Sequence, residues 1–372
     1  RRLRADNDLK VRQPLAAIPA TTEGVLNIPS SIKGYTVTEI GRRAFTNCSK
    51  LTEIILPNTV KKLNDFSLSA PNVKEIYIPA SVTVIYPLTF EAEVQNSEGF
   101  WDLKTPIDRL TIDPQNTVYD SRDNCNAVIE TATDVLVAGL NTTVIPSSVR
   151  YIGGQAFYGR TGLTEIVIPN SVIYIGYYAF SHCENLKNVD LSNQLEIINF
   201  GTFQSCTNLE TVILHEGIEH IDQLAFCNTK ISTIKFPKSL KIIGNSAFSD
   251  CTELVAAVLP EGLGRLENYA FMNCSKLQSV TIPSTLTIAP SWGDGSMTFA
   301  NCPNLKTVVS RITEPFNIDV DNFTIYNYEY DEDWNIINRE ETFTSATLYV
   351  PQGTREKYLA TEGWREFKNI VE

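Results

Sequence analysis

The chain has 372 residues, of which 43% are hydrophobic and 20% charged. These are ordinary globular values, and they exclude collagen, a coiled coil and wholesale disorder. The net charge is −12, from 31 Lys and Arg against 43 Asp and Glu. It argues against nucleic acid or an anionic membrane surface as a partner, because phosphate binding needs a positive surface.

The first segment, residues 1–24, is typical of a linker or an extension. It joins a basic start, Arg1–Arg4, to a proline-containing stretch, Pro14–Thr22. The sequence begins without a methionine, so we expect a signal or lipid anchor upstream of it and an exported protein, extracellular or on the cell surface. No apolar run in the sequence approaches the ~18 residues that a membrane span needs.

A repeat of about 23 residues occupies most of the chain from residue 25 onward. Its marker is an apolar pair, and the second residues of most successive pairs lie one period apart. The step from Phe90 to Phe157 spans three periods, and the step from Phe271 to Phe299 is somewhat longer than one. The second residues are Phe45, Leu68, Phe90, Phe157, Phe180, Phe203, Phe226, Phe248, Phe271 and Phe299.

The internal pattern of each period predicts a solenoid. A Leu-x-x-Ile-x-Ile-Pro piece alternates apolar and polar residues, as a strand does, and ends at the proline. A Val-x-x-Ile-Gly piece predicts a second short extended segment, and no stretch is long enough for a regular helix. One coil cannot bury its own Leu, Ile and Phe, so stacked coils must share a core. We predict one elongated solenoid domain over residues 25–315.

The pattern also resembles a known family. The run Ile-Gly-x-x-Ala-Phe-x-x-Cys-x-x-Leu-x-x-Ile-x-Ile-Pro is similar to the BspA-type leucine-rich repeat, also called the Treponema pallidum type. It matches well at Ile40–Pro57, Ile243–Pro260 and Leu266–Pro283. The resemblance implies a right-handed leucine-rich-repeat solenoid with short parallel strands, irregular or 3₁₀ returns, and little α-helix except in a C-terminal cap.

Three parts of the chain depart from the regular coil. Residues 107–146 resemble a longer variant coil of the family, which folds one β-hairpin outward. The first coil, with Gly34–Ile40, resembles the cap that a solenoid needs over its apolar end. Residues 316–372 are predicted as an acidic aromatic insertion followed by the C-terminal cap.

Six of the eight cysteines lie three residues after a repeat Phe. Stacked coils hold such side chains parallel, which is a poor geometry for a disulfide. We therefore expect reduced thiols that fill a turn, with disulfides or a metal as the alternatives. The six are Cys48, Cys183, Cys206, Cys251, Cys274 and Cys302.

Other candidate chemistry is sparse. The three histidines, His182, His215 and His220, do not form the His-Glu-x-x-His motif. The run Asp319–Asp321 begins like a calcium loop but lacks the third ligand and the glycine. No acid, base, nucleophile, metal ligand or cofactor motif converges in the sequence, so we expect no enzyme, no metal and no cofactor.

Candidate ligand residues lie in a column and in insertions. Tyr151 and Tyr174 precede the core Ile of their coils, where they either pack against neighbouring coils or form an apolar ridge for a protein partner. Two insertions outside the repeat carry Trp101 and Trp292. Insertions in repeat proteins often line the binding face.

The third insertion is acidic and aromatic. The stretch Glu314–Ser345 holds nine acids and one base, which is −8 of the net −12. Its aromatic residues either plug the end of the solenoid or form a recognition surface. The candidates for that surface are Tyr326, Tyr328, Tyr330 and Trp334.

The leading hypothesis is a non-catalytic, monomeric surface or secreted binding protein, because a solenoid offers a large display surface. The family resemblance implies a bacterial adhesin of Bacteroides-like origin that binds a protein of the host matrix or of a host or neighbouring cell surface. Two alternatives stay open. One is glycan capture, with Trp101, Trp292 or Trp334 as stacking platforms, and the other is a passive spacer for an upstream domain.

Overall fold

The computed structural model describes residues 18–68, 70–95, 101–288, 296–330 and 336–372. Within these, it describes only the backbone of residues 92–95, 101–104, 287–288, 328–330 and 336–340. The described residues form two compact units, one up to residue 116 and the other from residue 117 onward. The domain boundaries predicted from the sequence, at residues 24 and 315, stay predictions.

The first unit is built from short strands. Its strands are β1 (Glu23–Asn27), β2 (Ser31–Ile32), β3 (Tyr35–Thr36), β4 (Glu39–Ile40), β5 (Lys50–Ile55), β6 (Lys62–Leu63), β7 (Glu75–Ile78), β8 (Val84–Ile85), β9 (Ala92–Gln95), β10 (Trp101–Lys104) and β11 (Arg109–Ile112). Strand β1 pairs in parallel with β5, and β7 with β11. These strands, which follow the Leu-x-x-Ile-x-Ile pattern, form the front ladder in two separate parts, β1-β5 and β7-β11. The parallel strands β4, β6 and β8 form the back ladder.

The second unit repeats this plan over more coils. Its strands are β12 (Tyr119–Asp120), β13 (Ala127–Glu130), β14 (Val135–Gly139), β15 (Tyr151–Ile152), β16 (Glu165–Val167), β17 (Tyr174–Ile175), β18 (Asn188–Asp190), β19 (Ile197–Ile198), β20 (Thr211–Val212), β21 (His220–Ile221), β22 (Ile242–Ile243), β23 (Ala256–Val258), β24 (Arg265–Leu266), β25 (Ser279–Ile282), β26 (Thr287–Ile288), β27 (Thr307–Ser310), β28 (Thr324–Tyr330), β29 (Ile336–Phe343), β30 (Thr347–Tyr349) and β31 (Asn369–Val371). Its front ladder has two parts, β16-β18-β20 and β23-β25-β27-β30-β31. Its back ladder also has two parts, β12-β13-β14-β15-β17 and β19-β21-β22-β24-β26.

The predicted solenoid fold is confirmed, with short parallel strands and very little helix. In the described part of the chain the α-helix is α1, Arg355–Ala360, in the C-terminal cap. The predicted hairpin in the variant coil is present as the antiparallel pair β13–β14. The prediction of one hairpin was too few, because β2–β3, β9–β10 and β28–β29 are also antiparallel pairs. A long insertion must leave a coil and return to it, and an antiparallel ribbon does this while pairing its backbone.

The core of the second unit is organised around a column of phenylalanine rings. Successive rings stack with centroids 4.8 to 5.5 Å apart and planes within 15° of parallel. The column runs through Phe157, Phe180, Phe203, Phe226, Phe248, Phe271, Phe299 and Phe323. Its last member, Phe323, was assigned to an insertion from the sequence. It instead occupies the ring position of a further coil.

The repeated cysteines occupy the turn beside this column, as predicted. The thiol of Cys183 donates to the carbonyl of Phe157 at 3.0 Å, and that of Cys206 to the carbonyl of Phe180 at 3.1 Å. All eight cysteines are free thiols, and seven of them are buried. Five of the six turn thiols thus tie their coil to a Phe carbonyl of the coil before it: Cys183, Cys206, Cys251, Cys274 and Cys302.

Candidate ligand-binding surface

The first candidate surface is a set of exposed tyrosines on the back ladder. Tyr151 and Tyr174 lie in register on β15 and β17, each ahead of a buried Ile. They are 39% and 41% exposed, and Tyr177 nearby is 55% exposed. Successive residues of a strand point to opposite faces, so a buried Ile places the preceding residue on the surface. We call Tyr151, Tyr174 and Tyr177 the tyrosine patch.

The tyrosine patch packs against the ring of Phe200, which also contacts Tyr178. Phe200 contacts Tyr177 edge-on at 6.4 Å and Tyr178 at 4.8 Å between ring centroids. Partial burial raises the pKa of Tyr174, and the neighbouring Tyr177 hydroxyl raises it further. The Tyr174 hydroxyl is therefore neutral at physiological pH and can donate a hydrogen bond. The sequence pointed to Tyr151 and Tyr174, whereas nothing in it pointed to the support from Phe200.

The acidic insertion forms the second candidate surface. It is a hairpin in which β28 pairs with β29 over seven residue pairs, from Thr324 and Phe343 to Tyr330 and Ile336. Tyr326 is half-buried, and its backbone N–H donates to Oδ1 of Asn301 at 2.7 Å. Tyr328 and Tyr330 follow it in β28. The ligand role of these residues stays a prediction.

Of the three tryptophans proposed as ligand residues, the structure describes one. Trp101 is the first residue of β10 and pairs with Gln95. Trp292 and Trp334 lie outside the described residues.

The two interpretations of the acidic insertion, a cover for the end of the solenoid and a recognition surface, apply to different residues. Phe323 is buried, and Phe316 and Phe343 pack partly buried against the core. Phe343 meets Phe367 of the C-terminal cap edge-on at 5.1 Å, and Phe323 meets Trp364 at 6.2 Å. These aromatics cover the end of the core, and the residues of the hairpin beyond them are the remaining candidates for the recognition surface.

The titratable groups offer little reactivity. Burial raises the pKa of Cys251 to about 12 and that of Cys227 to about 11, so both thiols stay protonated and non-nucleophilic. Burial also lowers the pKa of His182, which favours the neutral ring. Within the described ranges there is no group of three His, Cys, Asp or Glu side chains that could hold a metal ion.

Two grooves on the front ladder were not predicted from the sequence. The first, of about 770 Å³, lies in the first unit between Thr52–Leu56 and Lys74–Tyr77. The second, of about 410 Å³, lies in the second unit between Thr211–Glu216 and Thr233–Pro237.

The signal that could have located these grooves is the length of the repeat. The step from Leu68 to Phe90 and the step from Phe226 to Phe248 are each one residue shorter than the regular period. Each of these two steps contains one wall of a groove. We call the coils that they span the short coils.

The stacked coils with their short parallel strands define a leucine-rich-repeat protein. More specifically, the family model for the BspA type leucine rich repeat region matches six copies in residues 24–98, 137–255 and 243–338. These ranges cover most of the chain, which belongs to this family. No protein with a curated description matches the sequence.

Several solved structures are similar to the chain. A leucine-rich repeat protein from Bacteroides ovatus is 26% identical, with a TM-score of 0.48, over 78% of this chain and 64% of that one. A leucine rich cell surface protein from Faecalibacterium prausnitzii is 22% identical, with a TM-score of 0.41, over 77% and 59%. The T. pallidum leucine rich repeat protein is 26% identical, with a TM-score of 0.32, over 51% and 77%. The chain thus spans less than two thirds of the first two structures.

The helices among the described residues include none with the length and apolar character to cross a membrane.

Proposed function

We propose that this chain is a non-catalytic binding protein, displayed on a bacterial surface or secreted, that holds a protein on a host or neighbouring cell. The observation that carries the proposal is the tyrosine patch. Tyrosine is enriched among the residues that dominate binding energy, because it combines a large apolar face with a hydroxyl. Tyr151, Tyr174 and Tyr177 present this combination on adjacent coils.

The rigidity of the back ladder favours binding at this patch. Tyr151 and Tyr174 are held by backbone pairing between β15 and β17, and Tyr178 and Phe200 support the patch beside them. Ordering side chains on binding costs about 0.5–1.5 kcal/mol for each one immobilised. A patch already ordered by the fold avoids part of that cost. A passive spacer binds nothing, so an ordered aromatic patch favours the binding role over the spacer.

The acidic insertion supports a partner with basic character. Its excess of acids over bases attracts a positively charged surface, which accelerates encounter and selects among partners. Such steering weakens as salt screens the charges. We therefore expect an association rate that falls with ionic strength, while the tyrosine patch sets the dissociation rate.

The test is binding of the purified chain to arrays of matrix proteins and of glycans. We expect a protein ligand whose affinity falls at least ~10-fold in the double variant Tyr151→Ser, Tyr174→Ser. The matched control is Tyr35→Ser, which removes a tyrosine that is 79% exposed in the first unit. Equal losses in both variants, or binding to glycans alone, would contradict the proposal.

A further inference from the structure

The front ladder is interrupted at the short coil of each unit. In the second unit it also begins only at β16, because residues 141–146 of the variant coil form no strand. In the first unit β5 pairs with β1 and β7 pairs with β11, so β5 and β7 belong to separate ladders. In the second unit the ladder ends at β20, and residues 231–236 of the next coil form no strand. Consecutive regular coils instead keep their front strands paired, as in β16-β18-β20 and β23-β25.

The hydrogen bonds show which groups the interruption leaves open. Ile168 and Leu259, at the end of regular front strands, donate their N–H to the next coil at 2.8 and 3.1 Å. Leu56 and Leu214 occupy the same position in the coils that precede the short ones. Among the described residues neither donates a backbone hydrogen bond to the next coil. The facing edge of the short coil is at Glu75 and Tyr77. Among the described residues its backbone groups form no hydrogen bond with the strand β5.

A missing residue in the turn explains the opening. Ala70 takes the turn position of the cysteine, since Val73 donates to its carbonyl as Leu186 does to Cys183. A regular coil has two residues between the ring position and the cysteine position, whereas the first short coil has one between Leu68 and Ala70. A regular coil also has two residues between the cysteine position and the next core residue, whereas the second short coil has one between Thr229 and Ile231. Each residue of extended chain spans about 3.3 Å. A turn shortened by that length holds its strand away from the neighbour, beyond the ~2.9 Å of a backbone hydrogen bond.

The walls of the first groove combine main-chain groups, apolar side chains and carboxylates. Ile55 and Tyr77 are 42% and 49% exposed. The Tyr77 hydroxyl is hydrogen-bonded to Asp113, which raises the pKa of Tyr77 and holds its ring in place. The exposed carboxylates are those of Glu53 and Glu75. The charged residues that line the groove are two acids and one base, Glu53, Glu75 and Lys74. The base is ion-paired outside the lining, since Lys74 Nζ lies 3.6 Å from a carboxylate oxygen of Asp108.

We propose that the first groove binds an extended peptide segment with basic side chains. This inference rests on the proposed function, because it names a segment that the protein partner would supply. Unpaired main-chain donors and acceptors along two parallel edges match the regularly spaced N–H and C=O groups of an extended peptide. The excess of carboxylates selects Lys or Arg at its polar positions, and Ile55 and Tyr77 contact the apolar ones.

The size of the groove agrees with this occupant. Its volume of about 770 Å³ falls in the range of ~300–1,000 Å³ typical of ligand sites. Its longer wall, Thr52–Leu56, has five residues, which matches a bound segment of similar length. The second groove is smaller, and its walls carry Lys235 as well as Glu216, so it lacks the same preference for a basic segment.

The experiment uses the full chain and a fluorescent probe, acetyl-Val-Lys-Val-Lys-Val-amide. The comparison probes replace Lys by Glu, methylate alternate backbone nitrogens, or substitute maltohexaose for the peptide. One variant inserts an Asn between Ser69 and Ala70, which restores the first short coil to the regular period. The matched control inserts an Asn between Thr229 and Lys230, which restores the second short coil and leaves the first groove unchanged.

We expect the first insertion to weaken binding of the lysine peptide at least ~10-fold and the control insertion to leave it unchanged. The Glu and N-methylated peptides should bind at least ~10-fold more weakly than the lysine peptide. Should the first insertion prevent folding, the double variant Glu53→Gln, Glu75→Gln decides the question, with an expected loss of ~3–10-fold that vanishes at high salt.

Two results would overturn the inference. One is a lysine peptide that does not bind, or that binds equally well to the insertion and Gln variants. The other is maltohexaose binding that the first insertion abolishes, which would make the groove a sugar site. Both leave the proposed function to be judged by the array and the tyrosine variants, so the two failures are distinguishable.

Discussion

The regular coils and the short coils of this chain share a core and differ at the surface. In the second unit the ring of the short coil, Phe226, stacks on its neighbours at 5.5 Å from Phe203 and 5.3 Å from Phe248. In the first unit the short coil has the buried Leu68 at this position. The regular coils also close the front ladder, whereas the short coils leave it open and form the two grooves. One residue removed from a turn therefore changes the surface of a repeat protein without interrupting its core.

The largest effect on stability should come from substitutions in the buried core, which both kinds of coil have. Phe203→Ala, in a regular coil, and Phe226→Ala, in a short coil, should each lower the free energy of unfolding by about 3–5 kcal/mol, because each removes a fully buried ring. Urea unfolding followed by circular dichroism measures both values. A loss at Phe226 well below that at Phe203 would show that the interruption reaches the core.

A second test uses the buried thiols. Most regular coils carry one at the turn position, whereas the two short coils have Ala70 and Thr229 there. The pKa of Cys251 is raised to about 12 in the folded chain by burial, against ~8.5 for a free thiol. Between these values the unfolded chain has lost a proton that the folded chain keeps, so stability must fall as pH rises from about 9 towards 12. Each such thiol contributes at most about 1.4 kcal/mol per pH unit.

Urea unfolding at pH 8 and pH 10 measures this slope. Cys251→Ala should make it shallower, whereas Thr211→Ala, at an exposed position that bonds Asn188 and no thiol, should leave it unchanged. Equal slopes in the wild-type chain and in Cys251→Ala would contradict the assignment.

Hydrogen exchange sharpens the comparison at single amides. Leu56 and Leu214 should exchange at least ~10-fold faster than Ile168 and Leu259, because the latter two N–H groups donate to the next coil. Heteronuclear NMR in D₂O resolves the four amides. Insertion of an Asn between Ser69 and Ala70 should slow exchange at Leu56 and leave Leu214 unchanged. Equal protection of all four would show that the ladder is closed in solution.

The smallest effect is expected where neither kind of coil is touched. Tyr326 and Glu341 are paired across the β28–β29 hairpin, so an Asn-Gly turn can join them in place of residues 327–340. We expect a change in the free energy of unfolding within about 0.5 kcal/mol, as for surface changes in general. Thermal melting measures it, and a large loss would show that the hairpin supports the core.

Much of the fold was predictable because its information lies within one coil. The positions of the ring, the turn cysteine and the strand residues repeat in the sequence, and each coil buries the same set. The exposed positions of Tyr151 and Tyr174 follow from that pattern. The insertions were harder to interpret, since their composition did not show that Phe323 joins the ring column while β28–β29 leaves the core.

The sequence by itself determined the period, the parallel strands and the residues of the core, because burial of an apolar pattern needs only neighbours of the same kind. The tertiary structure decided where the front ladder opens. Pairing between coils depends on the distance between their strands, and a turn shorter by one residue holds its strand away from the neighbour while the apolar pattern stays intact. The grooves, and with them the peptide site proposed at the first, therefore arise from the spacing between coils.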